Sequence, residues 1–346
     1  MSYLLGIIAL GFLIVVHEGG HYFVARWCKM RIEKFSIGFG PGILKKVSKK
    51  TGTTFQFAPI PFGGFVEIRG MNIAEEVDPD DVHAYPNRPA WQRFLTIFAG
   101  PATNYLSAIV LALALFTCHG VNGYAVFETM PGYDAHGKLQ KGDAIREINH
   151  EPLYAITGRE LIERVNSAHG STLTMTVVRD GKTIEIPLTP RLDKDGGKET
   201  WRIGVKPELQ GEPVSMGVLD ATGHALRYPV DKTREIGAML YGIVFGSEKA
   251  DPGGPIRMVE EFHRAFSAST VHGIELLMAL SVYLGLFNLL PIPALDGGRL
   301  VFLGYELITR RRANPRIETM VHMAGIMALG VVMILVFIID IRRFLS

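Results

Sequence analysis

"LGIIALGFLIVVHEGGHYFVARW", from Leu5 to Trp27, is an apolar run that carries the pattern His-Glu-x-x-His at His17, Glu18 and His21. About 20 apolar residues span the hydrocarbon core of a bilayer, so the run predicts a membrane-crossing helix. On that helix His17 and His21 project from one face a turn apart, and both imidazoles reach a single cation. Glu18 stands beside them, placed to take a proton from a water whose pKa zinc lowers from about 15.7 to roughly 7. A charge at the centre of a span costs roughly 2.5 to 3.5 kcal/mol on the insertion scale, which argues against a purely structural role. A pore or transporter also places ionisable residues in a span, and the run alone leaves that reading open.

Working outward, the chain of 346 residues is 48% hydrophobic, with a mean hydropathy of +0.20. That is the profile of a polytopic membrane protein with a soluble portion. Four segments approach spanning length: 3–27, 92–118, 273–309 and 318–341. The net charge of +2 conceals two basic clusters, one from Lys29 to Lys50 after the first segment and one from Arg310 to Arg316 before the last. Flanking apolar spans, such clusters report topology rather than nucleic-acid binding. The positive-inside rule puts both on the cytoplasmic face, with the termini and the loop 119–272 outside. Cys28 and Cys118 are the only cysteines, so no disulfide framework defines the fold. The first run lacks a basic n-region and a cleavage pattern, and it reads as a retained span.

A catalytic zinc takes a third protein ligand and keeps one position open. "NLLPIPALDGGRL", Asn288 to Leu300, offers Asp296 as its lone carboxylate. Pro291 and Pro293 remove backbone donors, and Gly297 and Gly298 loosen the helix. Broken backbone at membrane depth persists only where protein or a water-filled cavity satisfies it, so the break predicts a hydrated cavity. The spacing of His21 from Arg26 and of Asp296 from Arg310 puts the site in the cytoplasmic half of the bilayer.

Between the first two spans, "TTFQFAPIPFGGFVEIRG" (Thr53 to Gly70) reads as a short β-hairpin or curled sheet. Its edge is either a cap on the helices or a place where an extended peptide adds as a strand. The stretch 122–208 reads as a folded soluble domain: a strand near Ala125 to Glu128, then "LQKGDAIREINHEPL" (Leu139 to Leu153), a short helix, and two strands joined around Asp180-Gly181. From 209 to 272 the sequence predicts an amphipathic helix near 232–247 and a Gly/Pro break at "DPGGPI", Asp251 to Ile256.

Together these motifs resemble the intramembrane site-2 metalloproteases, peptidase family M50, and most closely the bacterial PDZ-containing branch of the regulator of sigma-E protease type. The likeness covers nearly the whole chain. It rests on His17-Glu18-x-Gly20-His21, "FSIGFGP" (Phe35 to Pro41), "PFGGFVEIRG" (Pro61 to Gly70), "AGPATN" (Ala99 to Asn104), "GGPI" (Gly253 to Ile256) and "NLLPIPALDGG" (Asn288 to Gly298). The segment Leu139 to Leu153 is similar to circularly permuted PDZ domains of bacterial proteases.

The resemblance implies a zinc endopeptidase that cuts peptide bonds inside transmembrane segments, such as those of anti-sigma factors or remnant signal peptides. Its substrates would be single-pass membrane proteins already trimmed by another protease. It implies His17, His21 and Asp296 as ligands of one Zn²⁺, Glu18 as the catalytic base, and Asn104, Asn288, Gly63 and Gly64 as substrate contacts. For the two asparagines, a hydrogen bond within the helix packing is the alternative. The expected architecture is about four transmembrane helices, a small membrane-associated β-region and one inserted PDZ-like α+β domain. The expected division is 1–118 (two spans and β-region), 119–208 (PDZ-like, periplasmic), 209–272 (periplasmic amphipathic segment) and 273–346 (last two spans). The setting implied is the bacterial inner membrane, with the lipid bilayer and a peptide ligand of the PDZ-like domain as further partners and no nucleic acid. Relatives with two PDZ domains exist, whereas this loop has room for one. A membrane-anchored adaptor with a structural metal is the competing reading.

Overall fold

A computed structural model describes residues 2–72, 75–156, 159–195, 198–246 and 254–345. Helix α1 (Ser2–Trp27) is apolar along its length, and its backbone groups pair within the helix, as lipid requires. It ends where Lys29 takes a left-handed conformation (φ 57°) and the Met30 N–H donates to the Ala25 carbonyl at 2.8 Å. Four strands follow: β1 (Ile32–Phe39), β2 (Leu44–Val47), β3 (Thr54–Phe57) and β4 (Ile60–Ile68). They form one sheet in the order β2-β3-β1-β4, with β1 and β3 parallel and the other pairs antiparallel. The strands expected as a hairpin, β3 and β4, do not pair with each other: β1 lies between them, and the curled-sheet alternative is the one the chain adopts. Strand β1 was not legible because Glu33, Lys34 and Gly38 interrupt its alternation, yet Ile32 and Ile68 bury against Ala25, Cys28 and Met30. Helix α2 (Ala90–Cys118) carries Pro101 in its interior.

Contacts divide the chain into one compact unit of 1–112 with 226–346 and a second of 113–225. The second unit is an antiparallel sheet with one short helix. Its strands are β5 (Val121–Thr129), β6 (Ala144–Ile148), β7 (Glu151–Pro152), β8 (Leu173–Arg179), β9 (Lys182–Leu188) and β12 (Val205–Val214). They run in the order β12-β5-β6-β8-β9, with β7 on β6. Helix α3 (Glu160–Ser167) drops Leu161 and Val165 into a core with Val126, Ile145, Met175 and Leu188. Asp180 (φ 51°) and Gly181 (φ 75°) make the tight β8–β9 turn, the conformation that an Asp-Gly pair favours. A separate hairpin, β10 (Arg191–Asp195) with β11 (Lys198–Arg202), was not expected from the sequence.

Helix α4 (Val218–Val244) starts well before the amphipathic helix expected at 232–247 and continues through Pro229. Residues Asp251 to Gly253 of the Gly/Pro break lie outside the described residues. Then come α5 (Pro255–Ala268), α6 (Thr270–Leu289), α7 (Asp296–Thr309) and α8 (Pro315–Leu345). The segment expected as one span over 273–309 is thus two helices. Pro291 and Pro293 lack the N–H groups a continuous helix needs, and Ala294 sits at φ 81°. Among the described residues, four helices are long and apolar enough to cross a membrane: Leu4–Trp27, Ala90–Cys118, Thr270–Leu289 and Arg316–Arg342. Phe262 of α5 is fully buried against Ala9, Leu10 and Leu13 of α1 and Leu277 of α6. Asp340, buried near the far end of α8, accepts the Gly254 N–H at the start of α5 at 3.1 Å.

In the second unit, burial pushes the Asp143 carboxyl up, but the Arg179 fork (2.7 and 2.6 Å) and the Gln140 N–H (2.8 Å) outweigh it and hold the group below the usual carboxylate range. The stabilisation is present above the unfolded pKa of about 3.9 and disappears as pH falls through the lower folded value. Asp143→Asn is expected to cost about 2 kcal/mol at neutral pH. Thermal melts between pH 7 and pH 2 check this: the variant's deficit should shrink on acidification.

Candidate metal centre

Helices α1 and α7, far apart in sequence, converge on three atoms. His17 Nε2 lies 3.2 Å and His21 Nε2 3.3 Å from Asp296 Oδ2, and the two Nε2 atoms are 3.3 Å apart. The centre of such a triangle is about 1.9 Å from each corner, against metal–ligand distances of about 2.0 to 2.2 Å for zinc with imidazole and carboxylate. The spacing of the three atoms fits a zinc ion, which His17, His21 and Asp296 would hold.

The outer nitrogens set the tautomers. His21 Nδ1 is 2.8 Å from the Thr96 carbonyl, which only accepts, so the proton sits on Nδ1 and Nε2 presents its lone pair inward. His17 Nδ1 is 2.9 Å from the Asn104 side-chain amide. With Oδ1 of Asn104 turned toward Nδ1–H, an otherwise unpartnered buried oxygen gains its donor, and His17 also presents Nε2 inward. Asp296 Oδ2 is buried and has no hydrogen-bond donor from the protein. Two imidazole nitrogens and a carboxylate oxygen converging in this way are a donor set suited to a divalent cation.

Helix α2 comes close enough to supply these contacts because of two glycines. A side chain on Gly20 would strike the Ala99 carbonyl and the Thr103 hydroxyl, and one on Gly100 would strike both imidazoles. The sequence reading missed Thr96, because a backbone carbonyl leaves no residue-type signature. It also missed His322 on α8, whose Nδ1 accepts the Ala294 N–H at 3.3 Å and so braces the segment before Asp296. A lone histidine in the last apolar run was the available signal.

A cavity of about 1240 Å³ opens onto the site, and its wall includes Glu18, Gly64, Asn288 and His322 with the three converging side chains. Glu18 borders β4: its Cγ would lie 3.3 Å from a Cβ on Gly64, and its carboxylate faces the Val66 backbone. Asn288 donates to the Leu284 carbonyl at 2.9 Å and still borders the cavity. Gly63 lies against the Phe39 ring. Asn104, expected as a substrate contact, is fully buried behind His17. Its side-chain amide lies against His17, a hydrogen bond within the helix packing.

Residues 5–332 match the family model of Peptidase family M50. Curated relatives named "Putative zinc metalloprotease" include proteins from Rickettsia conorii (30% identical, covering 98% of both chains), Mesorhizobium japonicum (32%, 91% of both) and Fusobacterium nucleatum (31%, 99% of both). A solved PDZ domain of an SdrC-like protein from Listeria innocua matches 25% of this chain and 92% of its own, at 26% identity and a TM-score of 0.22.

Asn104→Ala is expected to weaken zinc binding by about 10- to 100-fold, as loss of a ligand's outer partner does. Competition with a chelator checks it; an unchanged zinc affinity with a raised KM would instead make Asn104 a substrate contact. Gly100→Val is expected to abolish zinc binding in the same assay.

Proposed function

The chain belongs to peptidase family M50, a zinc metalloendopeptidase and a membrane protein, and on that premise we propose that it cleaves peptide bonds within the membrane-spanning segments of other proteins. The observation that carries this reading is the convergence of His17, His21 and Asp296 beside Glu18, with both histidines and Glu18 on a helix apolar enough to cross a bilayer. His17, His21 and Asp296 would hold the metal through Nε2, Nε2 and Oδ2. When bound, zinc supplies Lewis acidity to the scissile carbonyl and lowers the pKa of a water.

Glu18 takes the proton of that water and later delivers it to the leaving amine. Asn104 and the Thr96 carbonyl orient the two imidazoles. Asn288, on the cavity wall, presents a neutral amide that stabilises the developing oxyanion or the substrate backbone without adding charge. The substrate has to be extended to be cut, and β4 is an edge strand paired only with β1. Its free edge, passing Gly64 and Val66 beside Glu18, offers backbone partners to an unwound segment.

The finer setting belongs to the same proposal. The basic clusters after the first span and before the last favour a bacterial inner-membrane protein with its termini outside and its site in the cytoplasmic half. The second unit, one short helix on an antiparallel sheet with the Leu139 to Leu153 motif, is assigned as a PDZ-like domain that binds a peptide. Substrates would be single-pass proteins already trimmed outside the membrane.

The test is cleavage of a single-span substrate in proteoliposomes. Glu18→Gln should lower kcat by about 10²- to 10⁴-fold while zinc content stays at one per chain. His17→Ala should lose both. Full turnover by Glu18→Gln would overturn the mechanism.

A further inference from the structure

Arg299 follows Asp296 by three residues on α7, so the two side chains leave the same face of the helix, and both line the cavity. The other cations on that wall are engaged. Lys34 donates to Glu67 at 2.8 Å, Arg93 to Glu306 at 2.5 Å, and Arg312 to the Pro86 carbonyl at 3.3 Å. Arg299 makes no hydrogen bond or ion pair with any described residue. The acidic groups nearby make no ion pair with it: Glu67 belongs to Lys34, Glu75 accepts the Gly70 N–H at 2.8 Å, Asp296 faces the two imidazoles, and among the described residues no ion pair joins it to Glu318. Its field is still felt locally, since Arg299 and Arg93 oppose the burial that pushes the Tyr85 phenol up to about 12.

A guanidinium keeps its charge at any working pH, and its fork of donors matches a carboxylate. An unpaired one, partly withdrawn from water beside a hydrolytic site, is complementary to an anion that arrives with the peptide. Hydrolysis itself makes one. The C–N bond breaks, the water oxygen joins the carbonyl carbon, both of the water's protons end on the leaving amine as an ammonium group, and the fragment N-terminal to the cut ends in a carboxylate.

We propose that Arg299 is the carboxylate-binding residue of this cavity, holding either the chain end that hydrolysis creates or an acidic side chain flanking the cleavage point. The proposal rests on the protease reading above. It adds a requirement on the peptide that the metal site does not impose.

The experiment measures peptide binding to the full-length, zinc-loaded Glu18→Gln protein, so that nothing turns over. One arm compares an N-terminal fragment ending in a free carboxylate with the same fragment as its amide. The other walks a single Glu, against Gln, along an uncleaved single-span peptide. Arg299 should give about tenfold tighter binding of the carboxylate form in one arm, the size of a charge-assisted hydrogen bond, and that arm identifies the source. Arg299→Lys should keep part of the preference, while Arg299→Gln and Arg299→Met, two uncharged replacements, should each remove it. A preference carried by the metal alone survives Arg299→Gln and overturns the assignment, as does the absence of any preference in both arms. Cleavage is followed separately in protein with Glu18 intact. Its absence would overturn the protease reading, while the binding arms would still decide on Arg299.

Discussion

The structure depends on bringing a carboxylate to two imidazoles inside an apolar helix bundle. Asp296 and Glu18 would each be a costly charge in that setting. A divalent cation held there would balance the two carboxylates. This constraint explains why the break at Leu290–Leu295 stands where it does. A continuous helix from Thr270 onward would carry Asp296 along the α6 axis. Ending α6 at Leu289 and starting α7 at Asp296 instead lets the carboxylate approach α1 from the first turn of a new helix.

Helix α2 acts as the template against which α1 is set. Thr96, Gly100 and Asn104 recur every four residues, and therefore form one stripe. Along that stripe, Thr96 gives a carbonyl to His21, Gly100 gives room for both rings, and Asn104 gives an amide to His17. Thr103 adds a bond from its hydroxyl to the Val16 carbonyl at 2.9 Å, tying the two helices at the residue before His17. The ligand helix is thus fixed in rotation as well as position. A rotation of α1 by one residue would move both imidazoles off the stripe together.

What was legible in the sequence follows from which interactions are local. The His17–His21 pair could be read because a spacing of four is a geometric statement about a helix. Asp296 stood out because a carboxylate amid apolar residues is costly. The Asp180-Gly181 turn followed from backbone preference alone. The parts that were hidden depend on partners distant in sequence. Strand β1 exists because β3 and β4 pair with both its edges, and its polar residues obscured it. Thr96 acts through its backbone, where any residue would look the same. For Asn104 the sequence left a substrate contact and a hydrogen bond within the helix packing both open, because its partner, His17, lies 87 residues away. The break in the third apolar segment was legible because Pro291 and Pro293 lack backbone donors, whereas hydropathy alone ran the segment on to 309 and so past the start of a separate helix at Asp296.

A further consequence concerns what a peptide gives up to be cut here. A spanning helix satisfies its own amides, and each one exposed to lipid without a partner costs several kcal/mol. Unwinding a few residues beside Glu18 is therefore prohibitive unless the enzyme supplies the missing partners. The free edge of β4 is the one array of backbone donors and acceptors placed beside the site among the described residues. In the proposed reaction, hydrogen bonds of the substrate helix are exchanged for bonds to β4, and the cavity admits the water that hydrolysis needs. The extended conformation that exposes the scissile carbonyl and the strand that stabilises it are then the same structural event. Substrate choice should accordingly follow how readily a segment leaves its helix, before any side chain is recognised.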